Sequence, residues 1–329
     1  MHEYELSGDH YEMGRQKAVL LQRAGYVPRP ASTKQFRFAC ECEMVVREHA
    51  PWLLDELRGV ADAGIFDPEV VKVLPLTLYA DPGCSVVAVS GEHTRDGRPL
   101  FGRNYDFFSS FRQYNSLYRT RPTDHLSHIG CSDQWVGRHD GMNEVGLAIG
   151  HSGPTPGEQR PGFVITLAIR AVLDTCHTVN DAVTFLERIT HLGNSAYLIA
   201  DSTGNIAAVD VSPRKVVTTR LADGFGFLAN QYVSEEMATQ APGGEVPGSE
   251  FRIRNFRRWF DSHPRMGLEN IQSVLADPHD GVCVASTEER GAEADPDVTL
   301  WSWTAVLGDP IIYLAKGTPG ETPYEPAAL

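Results

Sequence analysis

Cys84 is the residue of this sequence whose position first suggests chemistry. It follows the pair Pro82-Gly83, which predicts a turn, and it opens the run CSVVAVS, whose β-branched residues predict a buried strand. A cysteine at the start of such a strand can be a small core residue, because free thiols pack well among apolar side chains. It can also be a nucleophile if a neighbouring group stabilises its thiolate.

Arg103 and Asp106 carry charges that could act on this thiol. Both lie in GRNYDF, and the segments SVVAVSGEH and GRPLFGRNYDF flank a turn signal at residues 95–97. These segments therefore predict a β-hairpin that brings Arg103 and Asp106 beside Cys84. A guanidinium there would stabilise the thiolate and lower the pKa of the thiol. The alternative from spacing alone is a surface ion pair at a strand end, which contributes little to stability.

The order of the predicted elements indicates the fold class. Apolar residues at spacings of three and four predict helices through the first 80 residues. The later segments are predicted as short strands at 84–152 (including QWVGRHDG at 134–141 and VGLAIGHS at 145–152), two helices at 162–189, strands at 195–233, two helices at 249–277 and strands at 298–316. Blocks of strands separated by helix pairs predict an α+β fold of antiparallel sheets covered by helices, not a doubly wound parallel sheet. The Pro-rich end at 317–329 is expected to be a surface tail.

Several motifs follow one another along the chain between residues 82 and 320. They are PGCS, GRNYDF, HDGMNEVGLAIGHSG, GFLANQYV, the helical SEFRIRNF and the closing TLWSWTAVL and IIYLAKGTPG. This combination resembles the isopenicillin N acyltransferase family, which is related to choloylglycine hydrolases and penicillin V acylases among the N-terminal nucleophile hydrolases. The resemblance implies a four-layer αββα sandwich, in which two antiparallel sheets are flanked by helices.

The resemblance also implies a maturation step at Cys84. In the acyltransferase branch the nucleophile is released by self-cleavage of a Gly-Cys bond, which corresponds here to Gly83–Cys84. The chain would then comprise a helical amino-terminal segment, 1–83, and a catalytic segment, 84–329, folded together as one domain. The α-amine freed on Cys84 has an ordinary pKa of about 7.7 to 8.0 and would take the thiol proton. The expected activity is that of an amidohydrolase or acyltransferase on a linear acyl amide, without a cofactor or metal.

Site roles follow from the same resemblance. The expected catalytic set is Cys84 as nucleophile, Arg103 near its sulfur, Asp106 holding the α-amine, and Asn230 of FLANQY as an amide donor to the oxyanion. Substrate contacts are expected from Tyr105, His151, Ser152 and Arg252. Arg254 is one alternative to Arg252, and a solvated helix face without a role in the site is another. A turn residue between two strands is the alternative for Asn230.

The stretch after DGMNEVGL departs from the choloylglycine hydrolase pattern. Those enzymes carry an asparagine shortly after this motif, as a second oxyanion or substrate contact. Here AIGHSG follows, so His151 or a backbone N–H near Ser152 would have to serve.

Composition excludes several classes of partner. The net charge is −14 and the pI is near 5.3, which argues against nucleic acid or an anionic membrane as the main partner. No apolar run reaches the length of a membrane span, and the start of the chain lacks a charged leader followed by an apolar stretch. The six cysteines are scattered, as in a reducing compartment. A cytoplasmic enzyme that binds a small molecule is therefore expected, and the sequence leaves homo-oligomerisation open.

Other readings compete with this one. Cys40 and Cys42 lie on a predicted helix, where positions i and i+2 do not face each other, so a zinc site there is not expected. A second group, expected to be scattered surface and turn residues, comprises His125, His128, Cys131 and His139. Two further functions remain open: a catalytically silent sandwich that acts as a binding module, and an unprocessed thiol hydrolase with His93, His139 or His151 as base.

Overall fold

Two β-sheets lie face to face, and helices cover the outer face of each sheet. The computed structural model describes residues 1–28, 30–77, 83–133, 135–154, 156–239, 248–278, 282–284 and 295–329. In chain order the strands are β1 (His2–Gly8), β2 (Gly83–Val89), β3 (Leu100–Phe108), β4 (Ser116–Pro122), β5 (His128–Ser132), β6 (Asp140–Asn143), β7 (Ala148–Ser152), β8 (Ser195–Ala200), β9 (Ile206–Ser212), β10 (Lys215–Arg220), β11 (Phe225–Leu228), β12 (Asp297–Val306), β13 (Ile311–Ala315) and β14 (Glu325–Ala328). The α-helices are α1 (His10–Arg23), α2 (Thr33–His49), α3 (Pro51–Asp62), α4 (Pro68–Thr77), α5 (Ile165–Thr175), α6 (Val179–Arg188), α7 (Glu235–Ala238), α8 (Ser249–Ser262) and α9 (Leu268–Leu275). None of the helices in these ranges combines the length and apolar character needed to cross a lipid bilayer.

The hairpin of β2 and β3 confirms the pairing predicted from the sequence. The two strands are antiparallel, with Cys84 opposite Tyr105 and Gly83 opposite Asp106. Cys84 and Tyr105 therefore project from the same face of the sheet, and Gly83 and Asp106 from the other. This register places Arg103, Tyr105 and Asp106 around the start of β2.

The two sheets differ in size and order. The larger sheet has eight strands in the order β1-β4-β5-β6-β7-β8-β9-β10, and the smaller has six in the order β11-β2-β3-β12-β13-β14. The Cys84 hairpin thus lies near the centre of the smaller sheet, where β11 and β12 flank it on either side. Strands with neighbours on both sides have their backbone groups paired, which fixes the side chains that they carry.

Three apolar cores confirm the four-layer αββα arrangement. Helices α1 to α6 pack on the outer face of the larger sheet, around residues such as Ile149 and Ile199. Helices α8 and α9 pack on the outer face of the smaller sheet, around Val87 and Leu100. The inner core between the sheets is filled by side chains of both sheets, including the fully buried Trp303.

Both ends of the chain differ from the prediction, because each forms an edge strand. Residues 2–8 were expected within a helical region but form β1, which pairs in parallel with β4. Residues 325–328, expected in a surface tail, form β14 beside β13. In β1, Tyr4 and Leu6 alternate with exposed residues, which is the strand period rather than the helix period. The β1–β4 pair also makes the larger sheet mixed, although its other pairs are antiparallel.

The prediction of a strand over 134–141 is wrong for most of that segment. Strand β6 begins only at Asp140. The carbonyl groups of Val136 and Gly137 accept hydrogen bonds from Arg138 Nη1, at 3.1 and 2.8 Å, instead of pairing with a strand. Gly137 also passes so close to α5 that a Cβ there would lie 2.4 Å from Thr166 Cβ. Strands β4 and β5, which no motif predicted, complete this part of the larger sheet.

Candidate active site

Cys84 is fully buried at the start of β2, and three side chains hold its polar atoms. Arg103 Nη2 lies 3.3 Å from the sulfur. The backbone N–H of Cys84 donates to Asn230 Oδ1 at 3.0 Å, and its carbonyl accepts from Arg252 Nη1 at 3.0 Å. These partners come from β3, the segment after β11, and α8, so the tertiary fold assembles the site.

Arg103 is held by a carboxylate that the sequence analysis did not single out. Its Nε lies 2.7 Å from Asp140 Oδ2, and both side chains are fully buried. Asp140 also accepts hydrogen bonds from the indole N–H groups of Trp301 and Trp303, at 3.0 and 2.8 Å. The structure therefore does not support the alternative of a surface ion pair between Arg103 and Asp106. Arg103 pairs instead with Asp140, across the space between the sheets.

The thiol of Cys84 keeps its proton in the intact chain. Burial raises its pKa to about 12, although Arg103 acts in the opposite direction. The prediction that a neighbouring guanidinium would favour the thiolate is right about this contribution and wrong about the net effect. Desolvation outweighs one positive charge because that charge is already paired with Asp140. In the intact chain, Cys84 is therefore not ionised near neutral pH.

Asp106 lies on the other face of the hairpin, next to Gly83. A Cβ at Gly83 would be 3.7 Å from Asp106 Oδ2. Thr299 Oγ1 donates to Asp106 Oδ1 at 2.6 Å, whereas Oδ2 has no hydrogen-bond partner in the described part of the chain. Burial raises the pKa of Asp106 to about 6, against the lowering effects of Thr299 and the arginines Arg252 and Arg103. An acceptor oxygen thus remains beside the predicted cleavage site.

Asn230 is more constrained than an ordinary turn residue. Among the described residues it is the one non-glycine residue with positive φ, at 63°, and it is buried. Its Oδ1 accepts from Cys84 N–H and, at 2.7 Å, from Arg252 Nη2. Its Nδ2 donates to the Gly153 carbonyl at 3.0 Å, and its backbone N–H donates to Ser152 Oγ at 2.6 Å. Two donors on one side and a carbonyl on the other fix the orientation of the amide.

The structure separates the two candidate arginines of α8. Arg252 is buried, and its Nη1 also donates to Ser85 Oγ at 3.3 Å. Arg254 is exposed and stacks over the ring of Phe251. Only Arg252 reaches Cys84.

The end of β7 carries the other two predicted contact residues. The carbonyl of His151 accepts a hydrogen bond from Arg103 Nη1, and Ser152 Oγ supports Asn230. Gly150 faces Arg103, and a Cβ there would lie 3.2 Å from Nη1. Glycine at that position therefore leaves room for the guanidinium. The burial of His151 lowers its pKa well below the ordinary value, as does the charge of Arg103.

Tyr105 stands beside Cys84 on β3 and connects the two sheets. Its hydroxyl donates to Asp133 Oδ2 at 3.1 Å, and His139 Nε2 lies 2.7 Å from Asp133 Oδ1. The other ring nitrogen of His139 is 3.3 Å from His151 Nε2. Sequence reasoning missed Asp133, which has no motif of its own, and Asp140, which lies inside the quoted HDGMNE motif.

The structure places none of the three candidate histidine bases in a described hydrogen bond with the Cys84 sulfur. His93 Nε2 lies 3.0 Å from the carbonyl of Asp223, at the far end of β2. His139 and His151 contact each other and Asp133. The thiol hydrolase with a histidine base therefore gains no support from this geometry.

The second group of histidines and cysteine is largely buried. The expectation of surface and turn residues is wrong for His128, Cys131 and His139, whereas His125 is partly exposed. His128 lies 3.1 Å from Asp174, and Cys131 packs between the sheets. In the described ranges, no three His, Cys, Asp or Glu side chains are grouped so that they could hold a metal ion.

Comparison of the sequence with models of known protein families identifies the family to which this site belongs. Residues 93–319 match the model of the family described as acyl-coenzyme A:6-aminopenicillanic acid acyl-transferase. The chain belongs to this family. The matched range includes Arg103, Asp106, Asn230 and Arg252 and begins after Cys84. Membership in an acyltransferase family supports an enzyme that transfers or cleaves acyl groups. Comparison with curated protein sequences gave no match.

Solved structures share the fold of this family member. A variant of the conjugated bile acid hydrolase from Clostridium perfringens is 17% identical, with a TM-score of 0.57 over 74% of this chain and 92% of that one. Penicillin V acylase from Agrobacterium tumefaciens is 18% identical, with a TM-score of 0.54 over 75% and 86% of the two chains. Both are N-terminal nucleophile hydrolases, which confirms the predicted fold class.

Proposed function

We propose that this chain is a cysteine amidohydrolase or acyltransferase that cleaves its own Gly83–Cys84 bond and then cleaves or transfers the acyl group of a linear amide. The observation that carries the proposal is the arrangement around Cys84. The sulfur, N–H and carbonyl of this buried residue are held by Arg103, Asn230 and Arg252, respectively. An ordinary core cysteine does not need three polar partners from three parts of the chain.

Maturation uses only groups at the start of β2. The Cys84 sulfur attacks the Gly83 carbonyl carbon, the C–N bond breaks, and the acyl group passes from nitrogen to sulfur while the thiol proton passes to the Cys84 nitrogen. Water then hydrolyses this thioester, which leaves a carboxylate on Gly83 and a free thiol and α-amine on Cys84. The thiol is neutral in the intact chain, so self-cleavage has to move its proton without an amine base, whereas turnover of substrate can use the freed amine of Cys84 for that step.

The new α-amine would lie between two acceptors. Asn230 Oδ1 is already 3.0 Å from this nitrogen. Asp106 Oδ2, which is next to Gly83, has an acceptor position left for it. An α-amine with an ordinary pKa of about 7.7 to 8.0 can take the thiol proton and later return it to the leaving amine. The proposed role of Asp106 in holding the amine fits this placement.

Arg103 and Asn230 are the proposed stabilisers of charge during turnover. Arg103 Nη2 lies beside the sulfur and would stabilise the thiolate as it forms. The Asn230 amide nitrogen carries two hydrogens. The proposed role of Asn230 is to donate from this nitrogen to the oxyanion. A hydrogen bond that is stronger to the oxyanion than to the neutral carbonyl speeds the chemical step.

Denaturing mass spectrometry of the purified protein tests the maturation step. The expected result is two pieces, 1–83 and 84–329, with Cys84 as the new amino terminus. Cys84→Ala should remain intact, whereas Cys131→Ala, which removes another buried thiol, should still be cleaved. A wild-type chain that stays intact after long incubation would refute the proposal.

A substrate panel then separates hydrolysis from transfer. Released amine is measured with N-acyl amino acids and penicillins, and hydroxy acid with lactones. The acyl product is then identified as the free acid or as a new amide, with and without an added acceptor amine. A processed protein that binds members of the panel and releases no product would point to a binding module. The cytoplasmic location, the boundaries 1–83 and 84–329 and any homo-oligomer stay predictions.

A further inference from the structure

A buried hydrogen-bonded chain runs from the face of Cys84 into the larger sheet. It starts at Tyr105, which is opposite Cys84 in the β2–β3 register, and continues through Asp133 and His139 to His151. Each of these four side chains is nearly or fully buried. The steps proposed above for maturation and turnover do not use this chain.

The direction of each hydrogen bond can be assigned from the donors and acceptors. An ionised Asp133 has no hydrogen to give, so both of its contacts must be donated to it. Tyr105 therefore places its single proton on Oδ2, and His139 places its Nε2 proton on Oδ1. The His139 Nε2–H group then also makes a weaker, 3.4 Å contact with the Tyr105 oxygen, which accepts.

The Tyr105 hydroxyl is thereby left with acceptor capacity only. Its proton is fixed on Asp133, and burial raises its pKa well above the ordinary value, so it keeps that proton. The negative charge of Asp133, and of Cys84 when ionised, acts in the same direction. A substrate group that meets this oxygen must therefore bring a hydrogen.

We propose that Asp133, His139 and His151 are positioning residues, which fix the Tyr105 hydroxyl as an acceptor for an N–H group of the substrate at Cys84. This inference rests on the proposed function and narrows its substrate class. A secondary amide carries an N–H at the scissile bond, whereas an ester of the same acyl group has an oxygen there. The site thus selects amides over esters through Tyr105.

His151 lies at the far end of the chain and links it to Arg103. Its Nδ1 is buried without a hydrogen-bond partner in the described part of the protein, and its carbonyl accepts from Arg103 Nη1. The charge of Arg103 disfavours a proton on the ring. A neutral His151 with its proton on Nε2 then donates to His139 Nδ1. His139 accordingly carries its own proton on Nε2, where it donates to Asp133.

The selectivity is tested with an amide and an ester of the same acyl group on processed enzyme. Tyr105→Phe should lower the amide-to-ester ratio of kcat/KM by about tenfold, the effect expected for one lost hydrogen bond. Asp133→Asn should lower the ratio in the same direction, because an amide offers one acceptor in place of two. His139→Gln keeps an N–H for Asp133 and should retain more of the ratio than His139→Leu. The matched control is His93→Gln.

Equal losses on amide and ester in the Tyr105 and Asp133 variants would overturn the proposal, because a purely structural role affects both substrates alike. A second measurement does not depend on activity. In unprocessed Cys84→Ala protein with ¹⁵N-labelled histidine, His139 should carry a proton on Nε2. A neutral His139 with its proton on Nδ1 would also overturn the proposal. Wild-type enzyme inactive on both substrates would remove the proposed function, and the NMR result would still decide whether the hydrogen-bonded chain exists.

Discussion

Replacement of Asp106 by asparagine should change the pH dependence of stability, because the Asp106 carboxyl is buried and its pKa is raised. Asp106 is buried beside Gly83, and burial raises its pKa from 3.8 to about 6. In the unfolded chain it regains its ordinary value. The native state therefore binds more protons than the unfolded state between pH 4 and 6, and stability falls as the pH rises through this window.

The size of the effect follows from the two pKa values. A difference between 3.8 and about 6 corresponds to about 3 kcal/mol, at about 1.4 kcal/mol for each pKa unit. Asp106→Asn does not titrate, so its free energy of unfolding relative to the parent should rise by most of this amount from pH 4 to pH 7. A buried amide nitrogen without a partner at the place of Oδ2 would cost about 1 to 3 kcal/mol at every pH. That cost shifts the whole curve and leaves its slope unchanged.

The assay is urea unfolding at several pH values in a Cys84→Ala background, which keeps all samples unprocessed. The control is Asp124→Asn, which removes an exposed carboxylate. The difference between the Asp106 variant and its parent should grow with pH, and the control difference should stay flat. A flat difference for Asp106→Asn would refute the reasoning, since it would mean that this carboxyl ionises as readily in the native state as in the unfolded state. In the background with Cys84 intact, Asp106→Asn should impair turnover whatever its effect on the free energy of unfolding.

Three further predictions concern the other side chains of the site. Asn230→Ala should lower kcat by about 100- to 1000-fold with little change in KM, and a fully processed variant with wild-type kcat would exclude it as an oxyanion donor. Asp140→Asn should destabilise the fold by about 3 to 5 kcal/mol in urea unfolding, because it leaves the buried Arg103 charge without its carboxylate; a loss below about 1 kcal/mol, the value of an exposed pair, would argue against this. Arg252→Met should lower kcat/KM and Arg254→Met should not, and equal effects would remove the distinction between them.

The parts of the fold that sequence reasoning found are those fixed by neighbouring residues. The β2–β3 hairpin was predicted because its turn and its two strands are adjacent in sequence, and the register follows once they pair. Strand β1 was missed because its partner, β4, lies more than a hundred residues further along the chain. Nothing local distinguishes a short edge strand followed by a helix from the start of that helix. The same applies to β14, whose prolines and polar residues are typical of loops.

The residues of the candidate site that were predicted are likewise those close together in sequence or carried by a family motif. Cys84, Arg103 and Asp106 came from one hairpin, and the family motifs added Asn230. Asp140 was not predicted as the partner of Arg103, because only the packing of the two sheets brings it to the guanidinium. The net pKa of Cys84 was mispredicted for a related reason. The charge of Arg103 can be read from the sequence, whereas the burial of Cys84, which has the larger effect on its pKa, depends on the complete fold.

The amino-terminal segment packs against parts of the chain that follow the proposed cleavage site. Strand β1 is hydrogen-bonded to β4 across seven residue pairs, and helices α1 to α4 share an apolar core with α5 and α6. Glu56 of the segment also forms a fully buried ion pair with Arg170 of α5, at 2.9 Å. Separation would expose this core to water and break the pair, and neither depends on the Gly83–Cys84 peptide bond. Cleavage would therefore free the Cys84 amine without releasing residues 1–83, so that the enzyme keeps the layer that supports its larger sheet.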